Sequence, residues 1–270
     1  MKTISKVFSC ILAFSSLLGS VEGQNRYKIW YDKPASYWEE ALPIGNGRIA
    51  AMVFGDPQLE QIQLNEETVS AGSPYQNYNE EAKAALPEMR RLIFEGKYEE
   101  AQNMAATKIL SQVGNEMPYQ TVGRLNIRYQ DHKKVSNYYR DLDISNAMTV
   151  TRYKVDGVEF TEETFASFTD QLVIRHIKSS KPGAINCELF FNTPMRDPKR
   201  SIYGKKGLRL EGITHGSRYF PGKVHYCADL DVKNKGGEVT MANDTLLSVQ
   251  GASELTLYIS MATNFVNYKD

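Results

Sequence analysis

The feature that most constrains the fold of this chain is a long succession of short alternating segments. From about residue 120 onward, β-branched and aromatic residues alternate with polar residues, and turn residues separate the runs. Asp156-Gly157 between two runs predicts a hairpin, and Asn234 to Gly237 and Asn243-Asp244 predict further turns. Strands at this spacing are typical of antiparallel sheets packed face to face. The sequence therefore predicts a mainly β fold, a large antiparallel β-sandwich.

A short helical insertion interrupts the predicted strands. Ala82, Ala85, Leu86, Met89, Leu92 and Ile93 fall on one helical face. We expect Asn79 to cap the start of this helix and Gly96 to end it. Pro87 lies inside the segment and predicts either a kink or two abutting helices. A second helix is expected over roughly Tyr98 to Leu110.

The first 23 residues differ in character from the rest. Lys2 and Lys6 precede an apolar run from Val7 to Leu18, and small residues follow through Gly23. This order is typical of a secretory signal peptide, and the run is too short for a membrane-spanning helix, which needs about 20 residues. We therefore expect cleavage near Gly23, export to the periplasm or the cell exterior, and a mature β-sandwich domain over residues 24–270.

The charge balance narrows the possible partners. The chain carries 32 basic and 32 acidic side chains among its 270 residues, so it offers no field of one sign to a polyanion. Nucleic acid is therefore not an expected partner. Cys10 would leave with the signal peptide, and the alternation around Cys187 and Cys227 predicts one buried and one half-exposed thiol. We favour two free thiols over a disulfide.

A glycine motif near the start of the mature chain raises the question of a nucleotide cofactor. Gly45-Asn46-Gly47-Arg48-Ile49-Ala50 has the spacing G-x-G-x-x-A of a dinucleotide-binding turn. Such a site needs a buried strand before the glycines and a helix after them. Residues 38–44 do not have the pattern of a buried strand, and Ile49 to Phe54 is too short for a crossover helix. We predict a strand that begins at a tight glycine turn, and no cofactor.

No catalytic or metal-binding cluster is evident from the spacing of the polar residues. Asp141 with Asp143, and Asp229 with Asp231, each share a strand face at a separation suited to an inverting glycosidase, but a solvated strand face is the favoured interpretation. His225 and Asp229 would lie about 13 Å apart along a strand, too far to share a metal. Trp30 and Trp38 are substrate-binding candidates through sugar stacking, with packing on the sandwich as an equal alternative.

Several blocks in order resemble one known family, glycoside hydrolase family 95, the α-L-fucosidase family with some α-L-galactosidases. The resemblance covers residues 27–270 and implies a large β-sandwich ("super-sandwich") followed by a linker and an (α/α)6 helical barrel. In the family the general acid and base belong to the barrel, so the resemblance implies no catalytic residue here. The blocks are WEEALPIGNGR (38–48), MVFG (52–55), IQLNEET (62–68), AGSP (71–74), LPEMRRLIFEGKYEEAQ (86–102) and YQTVG (119–123).

The resemblance also suggests partners. Members commonly carry Trp just before the AGSP block, where this chain has Ser70; a lost anchor to the barrel and ordinary surface drift explain the change equally well. The intact parent would act on a fucosylated glycan, and its barrel, expected beyond residue 270, would contact the sandwich. The alternative is a stand-alone secreted β-sandwich that binds glycan or is an inactive remnant. Interdomain-contact candidates are Arg48, Asn65, Glu66, Thr68, Ser70 and Gln120.

Overall fold

The chain folds into two antiparallel sheets packed as a sandwich, which confirms the predicted fold class. The computed structural model describes residues 27–111, 117–216, 220–267 and 269, and the predicted signal peptide lies outside them. Within the described residues one sheet has nine strands and the other has seven. The nine-stranded sheet has the order β1 (Lys28–Tyr31), β6 (Val135–Asp143), β7 (Met148–Val155), β8 (Val158–Ala166), β9 (Leu172–Ser179), β16 (Glu254–Thr263), β13 (His225–Lys235), β12 (Gly207–Ile213) and β11 (Arg196–Tyr203).

The seven-stranded sheet covers the inner face of the larger one. The sequence alternation places every second side chain between the sheets: Leu255, Leu257 and Ile259 of β16 are fully buried, as are Ile62 and Leu64 on the facing sheet. The core lies between these two inner faces. The seven-stranded sheet has the order β14 (Glu238–Asn243), β15 (Leu246–Ala252), β10 (Ile185–Asn192), β5 (Gly123–Tyr129), β4 (Leu59–Glu66), β3 (Ile49–Val53) and β2 (Leu42–Gly45).

The predicted turns are present, and one of them carries the chain between the sheets. Asp156 and Gly157 have φ angles of 47° and 83° and join β7 to β8, as a type I′ hairpin requires. Gly236 and Gly237 connect β13 of the nine-stranded sheet to β14 of the seven-stranded sheet. At Gly237, φ is 63° and a Cβ atom would lie 2.2 Å from the Gln250 carbonyl oxygen, so this crossing needs glycine.

The helical insertion forms as expected, with two corrections. Helix α1 (Ala82–Phe94) continues through Pro87 as one helix, so the alternative of two abutting helices is wrong. Glu81, and not the expected Asn79, occupies the N-cap position; Asn79 lies in the turn before the helix, where its side-chain oxygen accepts a hydrogen bond from Glu81 N at 3.0 Å. Gly96 follows the helix with φ 74°, as a helix stop requires. Helix α2 (Tyr98–Met104) is followed by a π-helical turn (Ala105–Ile109), and a 3-10 turn (Trp38–Glu40) precedes β2.

The two cysteines that the structure describes lie on different sheets. Cys187 on β10 is buried and Cys227 on β13 is half-buried, and both are free thiols. The predicted burial of each is therefore confirmed. Among the described residues, none of the helices has the length and apolar character that crossing a membrane would require.

Candidate functional site

A cleft of about 880 Å³ opens at one end of the sandwich. Its walls come from residues 67, 68 and 70–75, which follow β4, and from residues 213 and 222–225, at the end of β12 and the start of β13. Met117 and residues 264–265 complete the lining. Backbone hydrogen bonds fix the walls: Gly72 N donates to His215 O at 3.2 Å, and Lys223 N donates to Gly72 O at 3.1 Å. The cleft therefore joins segments that are far apart in the sequence.

A polar network beside the cleft ties the two sheets together. Arg48 follows Gly47, which has φ 95°, in the turn between β2 and β3. The Arg48 guanidinium lies 3.3 Å from Glu66 Oε1 and donates to the Met261 carbonyl of the opposite sheet at 3.2 Å. Glu66 Oε2 in turn accepts hydrogen bonds from the backbone and hydroxyl of Thr68, at 2.8 Å and 2.6 Å. Only Thr68 of this network lines the cleft itself.

All six interdomain-contact candidates lie at this end of the sandwich. Ser70 lines the cleft and pairs with Tyr119 through an isolated β-bridge. Gln120 Oε1 accepts a hydrogen bond from His215 N at 2.9 Å. Burial raises the pKa of the Tyr119 hydroxyl, and its hydrogen bond with Asn65 opposes that shift. The six candidates are thus neighbours in space, and their role as contacts to another domain stays a prediction.

The glycine motif is a turn in an antiparallel hairpin. β2 and β3 pair antiparallel on either side of it, and Asn46 Oδ1 accepts hydrogen bonds from Arg48 N and Ile49 N at 3.1 Å and 3.0 Å. The expectation that no buried strand precedes the glycines is wrong, because Leu42 and Ile44 of β2 are buried. The predicted strand after the turn is confirmed as β3. The dinucleotide geometry needs a helix at that position.

The aspartate pairs have structural partners, and the first pair is not a solvated face. Asp141 and Asp143 are buried, with exposures of 1% and 7%, so the favoured interpretation of this pair is wrong. Lys28 on the edge strand β1 compensates the charge of the buried Asp141, since its Nζ lies 3.3 Å from the carboxylate. Asp143 instead accepts hydrogen bonds in the turn that follows β6. Among the described residues, no three acidic, histidine or cysteine side chains could hold a metal ion together.

The second aspartate pair and the two tryptophans lie outside the cleft. Arg209 binds Asp229 through two hydrogen bonds of 2.6 Å and 2.7 Å, while Asp231 is exposed. Trp30 on the edge strand β1 is 61% exposed and Trp38 in the 3-10 turn is 50% exposed. Trp30 also stacks on Tyr139, with ring centroids 6.3 Å apart, so both tryptophans stay at least half exposed and Trp30 packs on β6 as well. Sugar stacking by these rings stays a prediction.

The sequence analysis missed a buried ion cluster between the sheets. Glu60 of β4, Glu162 of β8 and Arg175 of β9 all point inward and are at most 1% exposed. Burial raises the pKa of Glu60 to about 7, and Arg175 partly opposes this shift. Each of these residues alternates with buried apolar neighbours, such as Val173 and Ile177 around Arg175. A charged residue at a strand position where the alternation predicts an apolar one was the sequence signal that could have identified them.

The fold and the cleft define the chain as an antiparallel β-sandwich domain. It belongs to the family described as "Glycosyl hydrolase family 65, N-terminal domain", whose model matches residues 29–268. It is 31% identical over 261 residues to α-L-fucosidase 2 of Arabidopsis thaliana, and this match covers 88% of the chain and 30% of that protein. The match confirms the resemblance to the N-terminal domain of an α-L-fucosidase-type enzyme.

Two further similarities are more distant. A probable α-fucosidase A of Aspergillus oryzae (strain ATCC 42149 / RIB 40) is 26% identical over 261 residues, which covers 92% of the chain and 35% of that protein. A solved structure of a putative kojibiose phosphorylase from human microbiome has a TM-score of 0.43 at 10% identity, over 88% of the chain and 32% of that structure. The chain thus spans about a third of the length of these relatives.

Proposed function

We propose that this chain is the N-terminal, non-catalytic domain of an exported glycoside hydrolase of the α-L-fucosidase type. In the intact parent it would support the removal of terminal α-L-fucose from glycans with inversion. The observation that carries this proposal is the similarity to α-L-fucosidase 2 along 88% of the chain. Inverting hydrolysis needs an acid, a base and a water between two carboxyl groups about 6.5–9.5 Å apart.

The surroundings of the aspartates support a non-catalytic role. Asp141 is buried against Lys28, and Asp229 is bound in bidentate fashion by Arg209. Each of these carboxylates is thus paired with a cation of the sandwich itself, and Asp141 is also shielded from solvent. We therefore assign the reactive acid and base to the remainder of the parent.

We propose further that the cleft end of the sandwich contacts that remainder. The six contact candidates gather there, and Arg48 exposes 34% of its side chain while its partner Glu66 is buried. Such a surface can be covered by a second domain without the cost of removing fully solvated charges from water.

Two activity measurements test this proposal. The chain alone is expected to release no fucose from a fucosyl-α-1,2-galactose substrate above the buffer background. A chimera of α-L-fucosidase 2 in which this chain replaces the matching N-terminal segment is expected to be active, because the sandwich would restore the domain contact. Turnover by the chain alone contradicts the non-catalytic role, and an inactive but folded chimera contradicts the proposed contact.

A second candidate function is glycan binding by the sandwich on its own. Trp30 and Trp38 favour it, because each residue is at least half exposed to solvent. Calorimetry with fucosylated oligosaccharides tests this candidate. Binding at millimolar concentration or tighter that is lost in Trp30→Ala or Trp38→Ala supports it, and the absence of heat in the wild-type chain excludes it at that level.

The export of the protein is part of the proposal. The order of charged, apolar and small residues in the first 23 positions supports it. The N-terminus of the mature protein, measured by mass spectrometry on the exported fraction, is expected at Gln24. Retention of Met1 in a cytoplasmic fraction would contradict export.

A further inference from the structure

The buried ion cluster contains two carboxylates and one guanidinium in direct contact. Arg175 Nη2 pairs with Glu162 Oε2 and lies 3.6 Å from Glu60 Oε2. The side chains of Glu60 and Arg175 are fully buried and that of Glu162 is 1% exposed. An ionised carboxylate costs several kcal/mol to bury unless its charge is compensated. A single guanidinium cannot fully compensate both carboxylates.

The hydrogen bonds distinguish the two glutamates. Glu162 accepts from Arg175 and also from the Tyr129 and Tyr153 hydroxyls, at 2.5 Å and 2.8 Å, so donors stabilise its negative charge. Glu60 Oε1 accepts a hydrogen bond from Phe54 N at 3.2 Å, and a backbone hydrogen bond from Gly55 lowers the pKa of Glu60 without cancelling the effect of burial. In the part of the chain that the structure describes, Glu60 Oε2 has no hydrogen-bond donor. Glu162 is therefore suited to carry the charge, and Glu60 is not.

The other charged and titratable groups around Glu60 do not remove the difference between Glu60 and Glu162 in the stabilisation of their charges. Asp56, in the loop before β4, and Glu162 both raise the pKa of Glu60. Arg140 of β6 is the second buried cation and its charge interacts with that of Glu60, but its hydrogen bonds go to the carbonyl oxygens of Lys33 and Glu40, at 2.8 Å and 2.7 Å. The uncharged groups are Tyr138 of β6, Tyr153 of β7, Tyr129 of β5 and His132, whose pKa burial lowers.

We propose that the sandwich folds around a protonated Glu60 and loses stability as the pH rises toward neutrality. The folded state holds a proton that the unfolded chain releases at lower pH. The stabilisation is therefore complete below the ordinary pKa of 4.5 and is lost as the pH rises to about 7. The site thus makes the stability of the fold depend on pH, although none of its three residues lines the cleft.

The experiment compares unfolding by urea in the wild-type chain and in Glu60→Gln, which keeps the shape of the side chain but cannot ionise. Between about pH 5 and about pH 8, the unfolding constant of the wild type is expected to rise on the order of 100-fold relative to Glu60→Gln. His132 contributes with the opposite sign, and its effect cancels because both proteins contain it. Glu238→Gln, on the exposed side of β14, is the matched control and is expected to follow the wild type.

A ratio that stays constant between these pH values overturns the proposal. If Glu60→Gln does not fold, carbon-13 NMR of the glutamate carboxyl groups in the wild type decides the question. One glutamate signal is expected to titrate near neutrality, far from the exposed glutamates. A spectrum in which every glutamate carboxyl titrates below about pH 5 also overturns the proposal.

Discussion

The molecule uses the same ion pair, an arginine with a glutamate, in two regions that differ in their access to water. In the interior, Arg175 and Glu162 have side-chain exposures of 0% and 1%. At the cleft end, Arg48 and Glu66 have exposures of 34% and 4%. Both groups bridge the sheets, through Glu60 in the interior and through the Met261 carbonyl at the cleft end. The comparison teaches that burial, more than the residue types, decides how much an arginine–glutamate pair affects the stability of the fold.

In the interior, the net contribution of the Arg175–Glu162 pair to stability depends on its geometry and hydrogen bonds. A buried pair recovers its desolvation cost only when its geometry and hydrogen bonds are complete, so it is weak evidence for net stability. Removal of one partner is nevertheless costly, since the other charge stays buried. At the cleft end one third of the Arg48 side chain is exposed and solvent screens its charge, while the buried Glu66 keeps its hydrogen bonds from Thr68. Substitutions in the interior should therefore change the free energy of unfolding more than substitutions at the cleft end. The cleft end is available to a partner domain.

The largest effect is expected for Arg175→Met. This change leaves Glu162 as a buried carboxylate without its cation, so we expect a loss of about 3–5 kcal/mol in the free energy of unfolding. Urea unfolding near neutral pH measures it. Arg152→Met, an exposed position on the outer face of β7, is the control and should change stability by less than about 0.5 kcal/mol. Equal losses in the two variants would contradict a special demand of the buried Glu162 for its cation.

A smaller effect is expected for Tyr153→Phe. The Tyr153 hydroxyl donates to Glu162 Oε1 at 2.8 Å, and Tyr129 donates to the same oxygen. Hydrogen bonds to charged groups contribute about 1.5–3 kcal/mol, and the remaining Tyr129 bond should hold the loss near the lower value. The same unfolding measurement applies, with Tyr258→Phe on the outer face of the sheet as control. A loss no greater than that of the control would mean that Glu162 does not depend on this donor.

At the cleft end, Arg48→Met is expected to cost about 0.5–1 kcal/mol, because one third of the side chain is exposed and Glu66 keeps two bonds from Thr68. The loss should become smaller at high salt, where exposed charges are screened. Unfolding at low and high salt measures both effects. A loss of 3 kcal/mol or more that does not respond to salt, on the scale expected for a buried pair, would contradict the contrast with the interior.

The sequence was sufficient for the fold and only partly sufficient for these two regions. Alternation predicted the strands because a half-buried sheet imposes a period of two, and Asp156-Gly157 predicted its hairpin because both residues tolerate positive φ. The burial of Asp141 was not predictable, because it depends on a lysine from the edge strand β1, 113 residues away. The cleft joins residues 67, 68 and 70–75 to 222–225 and 264–265, and local patterns carry no information on such contacts.

The smallest effect is expected for Ser70→Trp, and it tests whether the cleft end is a surface left for a partner. Ser70 lines the cleft, so the new indole would rest on one wall while its other face stays in water. We expect a change within about 0.5 kcal/mol in the isolated chain, far less than full burial of an aromatic area of about 150–250 Å² would give.

Ser73→Trp, at a neighbouring position of the same cleft, is the control for a general effect of an added aromatic ring. In the α-L-fucosidase 2 chimera, a covering domain would bury the indole at position 70, and a gain in stability there but not at position 73 would indicate an anchor. A gain in neither the isolated chain nor the chimera would contradict the anchor idea and favour surface drift. A gain of more than about 1 kcal/mol in the free energy of unfolding of the isolated Ser70→Trp chain would mean that the cleft walls themselves bury the ring. The cleft end would then exclude water as the interior does.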